Sequence, residues 1–345
     1  MISRKFIIWA CGLLFVFSSC AEDMVKPIEN DKDAPGTVQD VKTESLPGAV
    51  KFTYTLPSDP DLLYVLAKYT NKTGKVMEFR SSFYTNSVTV EGFGDTDTYK
   101  VELYTVDRSE NRSQPQIVEV APLTPPILSC YESLSVVSDF GGMTFEMDNK
   151  FKSDLAIYVC TPDELGDMVL AETFYSAREE IVYSVRGYDA VPRRFGIFLQ
   201  DKYGNETDTL FTELTPIYER ELDKTKFREM YLQNDSRVDS YDGKMEYVWN
   251  GRISKDGDSG GVGLHTGTGT KDGPAVFTFD LGVLAKLSRF ALWAIQDDKH
   301  FYNDMSPRRY EVWGCATEPN PDGSWDQWVK LLDMENVKPS GSPIG

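Results

Sequence analysis

The chain has 345 residues, 41% of them hydrophobic, with a net charge of −18. That length accommodates two or three domains with cores of their own. The acidity excludes a nucleic-acid partner, because no basic face is available to neutralise phosphates, and is read as a source of solubility.

The N-terminus is the first informative stretch. Arg4 and Lys5 precede an apolar run from Phe6 to Phe17, which Ser18-Ser19-Cys20 follows. The run is too short for a permanent membrane helix, so 1–19 reads as a cleaved secretory signal. Its "Phe-Ser-Ser-Cys" end resembles a bacterial lipobox. The resemblance implies that Cys20 is lipidated and becomes the mature N-terminus, with Phe17 where that motif usually has Leu. Acyl chains add about 0.8 kcal/mol per buried CH₂, so several of them hold a protein firmly at a membrane. Ala21-Glu22-Asp23 is similar to the acidic export tag of Bacteroidetes surface lipoproteins. The polar segment 20–33 then reads as a flexible tether.

Between Ala34 and Thr215 a diluted repeat is visible. Tyr99 to Asp107 alternates in polarity and leads into Arg108-Ser-Glu-Asn111-Arg-Ser113; Phe195 to Asp201 does the same and leads into Lys202-Tyr-Gly-Asn205-Glu-Thr207. The two asparagines are 94 residues apart, and Leu123-Thr-Pro and Leu214-Thr-Pro recur 91 apart. A period of this size suits one immunoglobulin-sized sandwich. The Asp and Asn shape a hairpin turn through side-chain bonds to the backbone and tolerance of left-handed φ. Further strands are expected at Ala49–Leu56, Leu63–Tyr69, Met143–Met147 and Leu155–Cys160. The domains are set at 34–122 and 123–217. Pro122 to Pro126 and Thr215-Pro216 form stiff joints. Each unit resembles a fibronectin type III or similar Ig-like domain and serves as a spacer.

Chemistry is sparse in this half. Glu179-Glu180 has the paired carboxylates of acid–base work, but its default reading is a solvated strand start. Arg193-Arg194 could grip an acidic sugar, and a plain surface pair is the default. After removal of Cys11 and lipidation of Cys20, Cys130, Cys160 and Cys315 remain, an odd number for an oxidising compartment. Cys130 and Cys160 could pair or serve separately as small hydrophobes. No cysteine spacing suggests a metal cluster.

The C-terminal domain, 218–345, opens with apolar Phe227, Met230 and Tyr231 at spacings that fit a helical turn or a short strand. A polar, glycine-rich region follows, from Tyr247 to Thr270. Strands are expected at Val276–Leu281, Arg289–Trp293 and Arg309–Trp313, with long polar and aromatic loops at Gln296–Pro307 and Ala316–Trp328. "TFDLG", "LSRFALW", "PRRYEVWG" and "DGSWDQW", in that order, resemble the discoidin-like (coagulation-factor type C, galactose-binding-like) domain at the end of Bacteroides-type surface lipoproteins. The resemblance runs from about Glu219 to the end. It implies an all-β chain of two Ig-like sandwiches followed by a jelly-roll barrel. The family's barrel has a further closing strand, whereas this chain stops at Pro343-Ile344-Gly345, so the last domain is expected to be incomplete.

The family often holds a structural Ca²⁺ through carbonyls and an Asp of a D-G pair. Here Asn250 stands in the Asp place, and a neutral amide is a poorer ligand for a hard cation. Asp256 and Asp258 are substitutes of the right chemistry on a loop, so no cofactor is assigned. The histidines, His265 and His300, lie near no nucleophile elbow, and Asp258-Ser259-Gly260-Gly261 lacks a protease context. No enzyme is expected.

Sugars are held by a ring stacked on their C–H face and by polar side chains aimed at their hydroxyls. The candidate ligand set is therefore His300, Tyr302, Arg308 and Trp325. Trp293 and Trp313 are expected in the core, and packing competes with binding at Trp325 and Trp328. The implied function is non-catalytic glycan capture at the outer membrane, facing the exterior, alongside polysaccharide-uptake proteins. The alternative is an adhesion lipoprotein that binds a host or neighbouring protein. It would show a large apolar patch on one Ig-like domain. A glycosidase would need two carboxylates facing across a cleft.

Overall fold

The computed structural model describes residues 31–253, 263–266, 274–296, 301–302 and 306–338. The chain divides into two compact units, Met1–Ile217 and Tyr218–Gly345. Cys20, Asp256, Asp258 and His300 lie outside the described residues.

In the first unit, β1 (Gln39–Leu46), β2 (Ala49–Thr55) and β5 (Ser87–Glu91) form one antiparallel sheet. The strands β3 (Leu62–Thr70), β4 (Val76–Ser82), β6 (Tyr99–Asp107) and β7 (Gln116–Val120) form a second, in the order β4-β3-β6-β7. The alternation explains the packing. Val50, Phe52 and Tyr54 of β2 are buried, while Lys51 and Thr53 between them are not. They meet Val65, Ala67, Tyr69, Val101 and Leu103 from the other sheet in one core. Phe93 stacks on Tyr69 with ring centroids 4.4 Å apart. Two sheets closed over one apolar layer make an Ig-like sandwich.

The same architecture then repeats. After α1 (Pro126–Glu132), which opens with proline in its first turn, come β8 (Ser135–Asp139), β9 (Gly142–Asp148), β10 (Leu155–Pro162), β11 (Met168–Ser176), β12 (Glu180–Arg186), β13 (Arg193–Asp201) and β14 (Leu210–Leu214). They pair as β12-β9-β8 and β11-β10-β13-β14, and so reproduce the strand order of the first sandwich. Phe145, Ile157, Val159, Phe195 and Leu199 fill the core, and Ile127 and Cys130 of α1 join it. Cys130 and Cys160 are both free, the first buried. Cys130 donates to Asn149 Oδ1 at 3.6 Å.

The repeated turns have the geometry their sequences imply. Asp107 Oδ1 accepts from the backbone of Ser109 and Asn111, and Asp201 Oδ1 from that of Tyr203 and Asn205. The residue before each asparagine is left-handed, Glu110 at φ 64° and Gly204 at φ 84°.

The second unit is built differently. A 3-10 turn at Lys224–Lys226 leads into β15 (Arg228–Met230), which pairs with β16 (Thr278–Asp280). The strands β17 (Arg309–Gly314) and β18 (Val329–Glu335) form a second ribbon. Phe227, Trp249 and Phe279 pack as one aromatic cluster, with centroids 5.3 to 5.9 Å apart. The strand expected over Val276–Leu281 is shorter, and Arg289–Trp293 is not a strand. Among the described residues that segment has no paired neighbour, so its apolar run has no sheet face to bury. Trp293, expected in the core, is accordingly 58% exposed. The described residues pair as two ribbons, and their pairing does not close a barrel.

Candidate ligand-binding site

The β17–β18 hairpin and the loop that joins its strands present an aromatic face. A register shift between Val312 and Trp313 places Trp313 opposite Lys330. The Lys330 ammonium lies over the Trp313 ring, 5.3 Å from its centroid, a cation–π contact. Glu311 clamps both: its carboxylate accepts from Trp313 Nε1 at 2.9 Å and pairs with Lys330. The Lys330 hydrogen bond holds the Glu311 carboxyl below its usual range.

Trp325 meets Trp313 edge to face at 5.0 Å, and Trp328 lies 6.2 Å from Trp325. Trp325 remains 48% exposed. The loop beneath it is held by its own side chains. Gln327 Oε1 accepts from the Asn320 backbone at 2.8 Å, and Gln327 Nε2 donates to the Glu318 carbonyl at 3.2 Å. Asp322 Oδ1 accepts from Ser324 N at 2.9 Å, which keeps that carboxyl low. The Gln233 amide donates to the Pro321 carbonyl, and Asn234 Nδ2 to that of Asp322. A tryptophan on so constrained a loop loses little freedom when a ligand covers it.

The expected ligand residues have different surroundings. Trp325 joins the face just described. Arg308 and Arg309 both converge on Glu335, at 3.2 and 3.1 Å, and their side chains are 79% and 73% exposed. Tyr302 is half-buried at φ 56°, tilted against Phe301 at 4.4 Å. Trp313, assigned to the core from its strand position, is half-buried and backs Trp325 instead. Lys330 and Glu311 were not singled out in the sequence; their only signal is alternation along paired strands.

A cluster of carboxylates lies in the first unit. Asp31, Asp61 and Asp107 bring oxygens within 4.8 Å of one another. A hydrogen bond with Asp59 raises the Asp61 carboxyl above its ordinary value. Asp107 is committed to the backbone of its own turn, so the cluster serves the hairpin described above.

Three family models match, each described as a domain of unknown function: DUF4959 over 35–122, DUF5126 over 123–225 and DUF5000 over 249–345. A comparison with curated proteins gave no match. Among solved structures, a SusE-like protein is 98% identical over 36% of this chain and 71% of its own, with a TM-score of 0.35. The chain belongs to the SusE-like family. The identity carries that assignment, not the superposition. The two-domain fibronectin type III segment of chicken tenascin is 12% identical, over 52% of this SusE-like chain and 99% of its own, with a TM-score of 0.25. A fibronectin type III domain of human collagen alpha-1(XX) is 14% identical, over 28% and 93%, at 0.24. The sandwich assignment of this SusE-like protein rests on its own strand order and cores.

Proposed function

We propose that the chain is a non-catalytic surface lipoprotein of Sus-type polysaccharide utilisation. It is moored in the outer membrane through Cys20 and faces the exterior. Its sandwiches, 34–122 and 123–217, are spacers, and 218–345 is a discoidin-like module that captures glycan beside outer-membrane uptake proteins. The observation that carries this reading is Trp325, half exposed on a hydrogen-bonded loop and backed by Trp313. An indole so held offers a flat face to the C–H side of a pyranose, and Asp326 and Lys330 supply acceptor and donor chemistry for hydroxyls.

Affinity electrophoresis tests it, using the chain from Ala21 onward against starch, yeast α-mannan, arabinoxylan and mixed-linkage β-glucan. At least one polysaccharide should retard the protein. Trp325→Ala should weaken that retention by about thirtyfold, the loss of about 2 kcal/mol expected at an aromatic anchor. Migration unaffected by every polysaccharide would sink the reading.

A second reading, an adhesion lipoprotein, has one observation in its favour. The edge strand β11 exposes Met168, Val169 and Leu170, with Leu165 in the turn before it 88% exposed. Apolar side chains on an unpaired sheet edge suit addition of a strand from a protein partner.

A further inference from the structure

Tyr241 is a strained residue whose side chain faces outward. Its backbone sits at φ 53°, ψ 41°, and Asp242 follows at φ 58°. Left-handed backbone costs an L-residue about 1–2 kcal/mol, and a bulky one there is an outlier. Burial of the ring would offset such a cost, yet Tyr241 is 66% exposed. The segment is anchored on both sides, by Val238 at 3% and Met245 at 0% exposure. Strain that surrounding structure maintains without a packing return is a mark of binding sites.

The chemistry around the ring is specific. His265 meets it edge to face at 5.9 Å. A bridge between Asp239 and His265 fixes the histidine's backbone, and Arg237 holds the Asp239 carboxylate at 2.7 Å. An exposed phenol ring with an imidazole against its edge, and a carboxylate on the next residue, Asp242, combines an apolar platform with donor and acceptor chemistry.

We propose that Tyr241 and His265 form a second sugar subsite on 218–345 that takes a neutral pyranose. Tyr241 stacks on the C–H face, while His265 and Asp242 bond hydroxyls. The neutral class follows from charge. The Asp242 carboxylate and a chain of net charge −18 repel uronates and sulfated sugars. This inference rests on the glycan-binding reading above. Two subsites on one module raise avidity for a polymer without tight binding at either.

The test compares wild type, Tyr241→Gly, Trp325→Ala and the double variant, each as the chain from Ala21 onward, by affinity electrophoresis on the same four polysaccharides. Thermal unfolding is measured in parallel. Glycine relaxes the left-handed backbone as it removes the ring. Tyr241→Gly should therefore weaken retention at least fivefold while Tm holds or rises, and the double variant should lose the retention that Trp325→Ala keeps. Three outcomes overturn the subsite. Retention unchanged in Tyr241→Gly removes it alone and leaves Trp325 standing. A fall in Tm together with retention shows a structural tyrosine. No retention of wild type removes both this subsite and the reading on which it rests.

Discussion

Asp139 shows how much one partly buried carboxylate organises. Its Oδ2 accepts from Thr144 Oγ1 and Arg186 Nη2, both at 2.7 Å, and its Oδ1 from the Phe140 amide at 2.8 Å. Burial alone would raise its proton affinity. The bonds from Thr144 and Phe140 and the Arg186 charge outweigh it, so the folded carboxyl lies below its ordinary 3.8. A depressed folded value means that the charged form is the stabilising one. The contribution is complete above about pH 4 and is lost as pH falls through the folded value. Asp139→Asn should cost about 1.5 kcal/mol at pH 6, the usual worth of a charge-assisted hydrogen bond, and clearly less at pH 3. Urea unfolding at the two pH values measures it; an equal cost at both would show that charge is irrelevant there. Nothing in the sequence marks Asp139, since Thr144 and Arg186 reach it from other strands. Cys130 is similar in kind. Burial pushes its thiol up to about 11, an environment that composition alone could not reveal.

At the scale of elements, the repeated turns explain why the sandwiches were legible. Asp, a left-handed residue and Asn recur because one short segment holds all the bonding partners. The flanking strands bury one face each, which period-2 alternation encodes directly. The expected strands at Leu63–Tyr69, Tyr99–Asp107, Met143–Met147, Leu155–Cys160 and Phe195–Asp201 all fall within observed ones, and Ala49–Leu56 overruns its strand only by Leu56. The C-terminal unit was less legible for the converse reason. Arg289–Trp293 is rich in aromatic and apolar residues but runs Phe290-Ala-Leu-Trp293 without alternation and pairs with nothing described, so the run has no sheet face to bury. The strand β18, which backs the candidate face, has only a weak signal in the sequence. Its adjacent Leu331 and Leu332 interrupt the polar–apolar rhythm, and Val329 and Leu331 are exposed rather than buried. Within the turns the aspartate is the essential part. Asp201→Ala removes the acceptor of Tyr203 N, Asn205 N and Asn205 Nδ2 together. A loss of about 2–3 kcal/mol in chemical denaturation is expected, since three donors are stranded at once. A loss under about 0.5 kcal/mol would mean that water replaces the side chain.

At the largest scale, the two sandwiches of 31–217 are joined by more than a proline-rich connection. The Gly48 amide donates to the Leu123 carbonyl and the Leu123 amide to that of Leu46, each at 3.0 Å. The second repeat's turn reaches back to the first sandwich. Tyr203 donates to Glu91, and Asn205 Nδ2 to the Gly92 carbonyl at 3.1 Å. Asn205 thus serves its own turn and the interface together, which ties the second repeat's turn to the first sandwich. The approach is close enough to require glycine at 94, where an added Cβ would lie 2.6 Å from Asn205 Oδ1. Backbone there is not left-handed, so alanine tests contact alone. Gly94→Ala should cost about 1–3 kcal/mol by overpacking, and Asn205→Ala about 1–2 kcal/mol by stranding the Gly92 carbonyl. Removing Asn205 also removes what alanine strikes. The double variant should therefore cost less than the two singles together, by about 1 kcal/mol or more. Urea unfolding of the four proteins closes the cycle. Strict additivity would show that the sandwiches do not meet at this point, and the pair would then hinge at Pro122–Pro126.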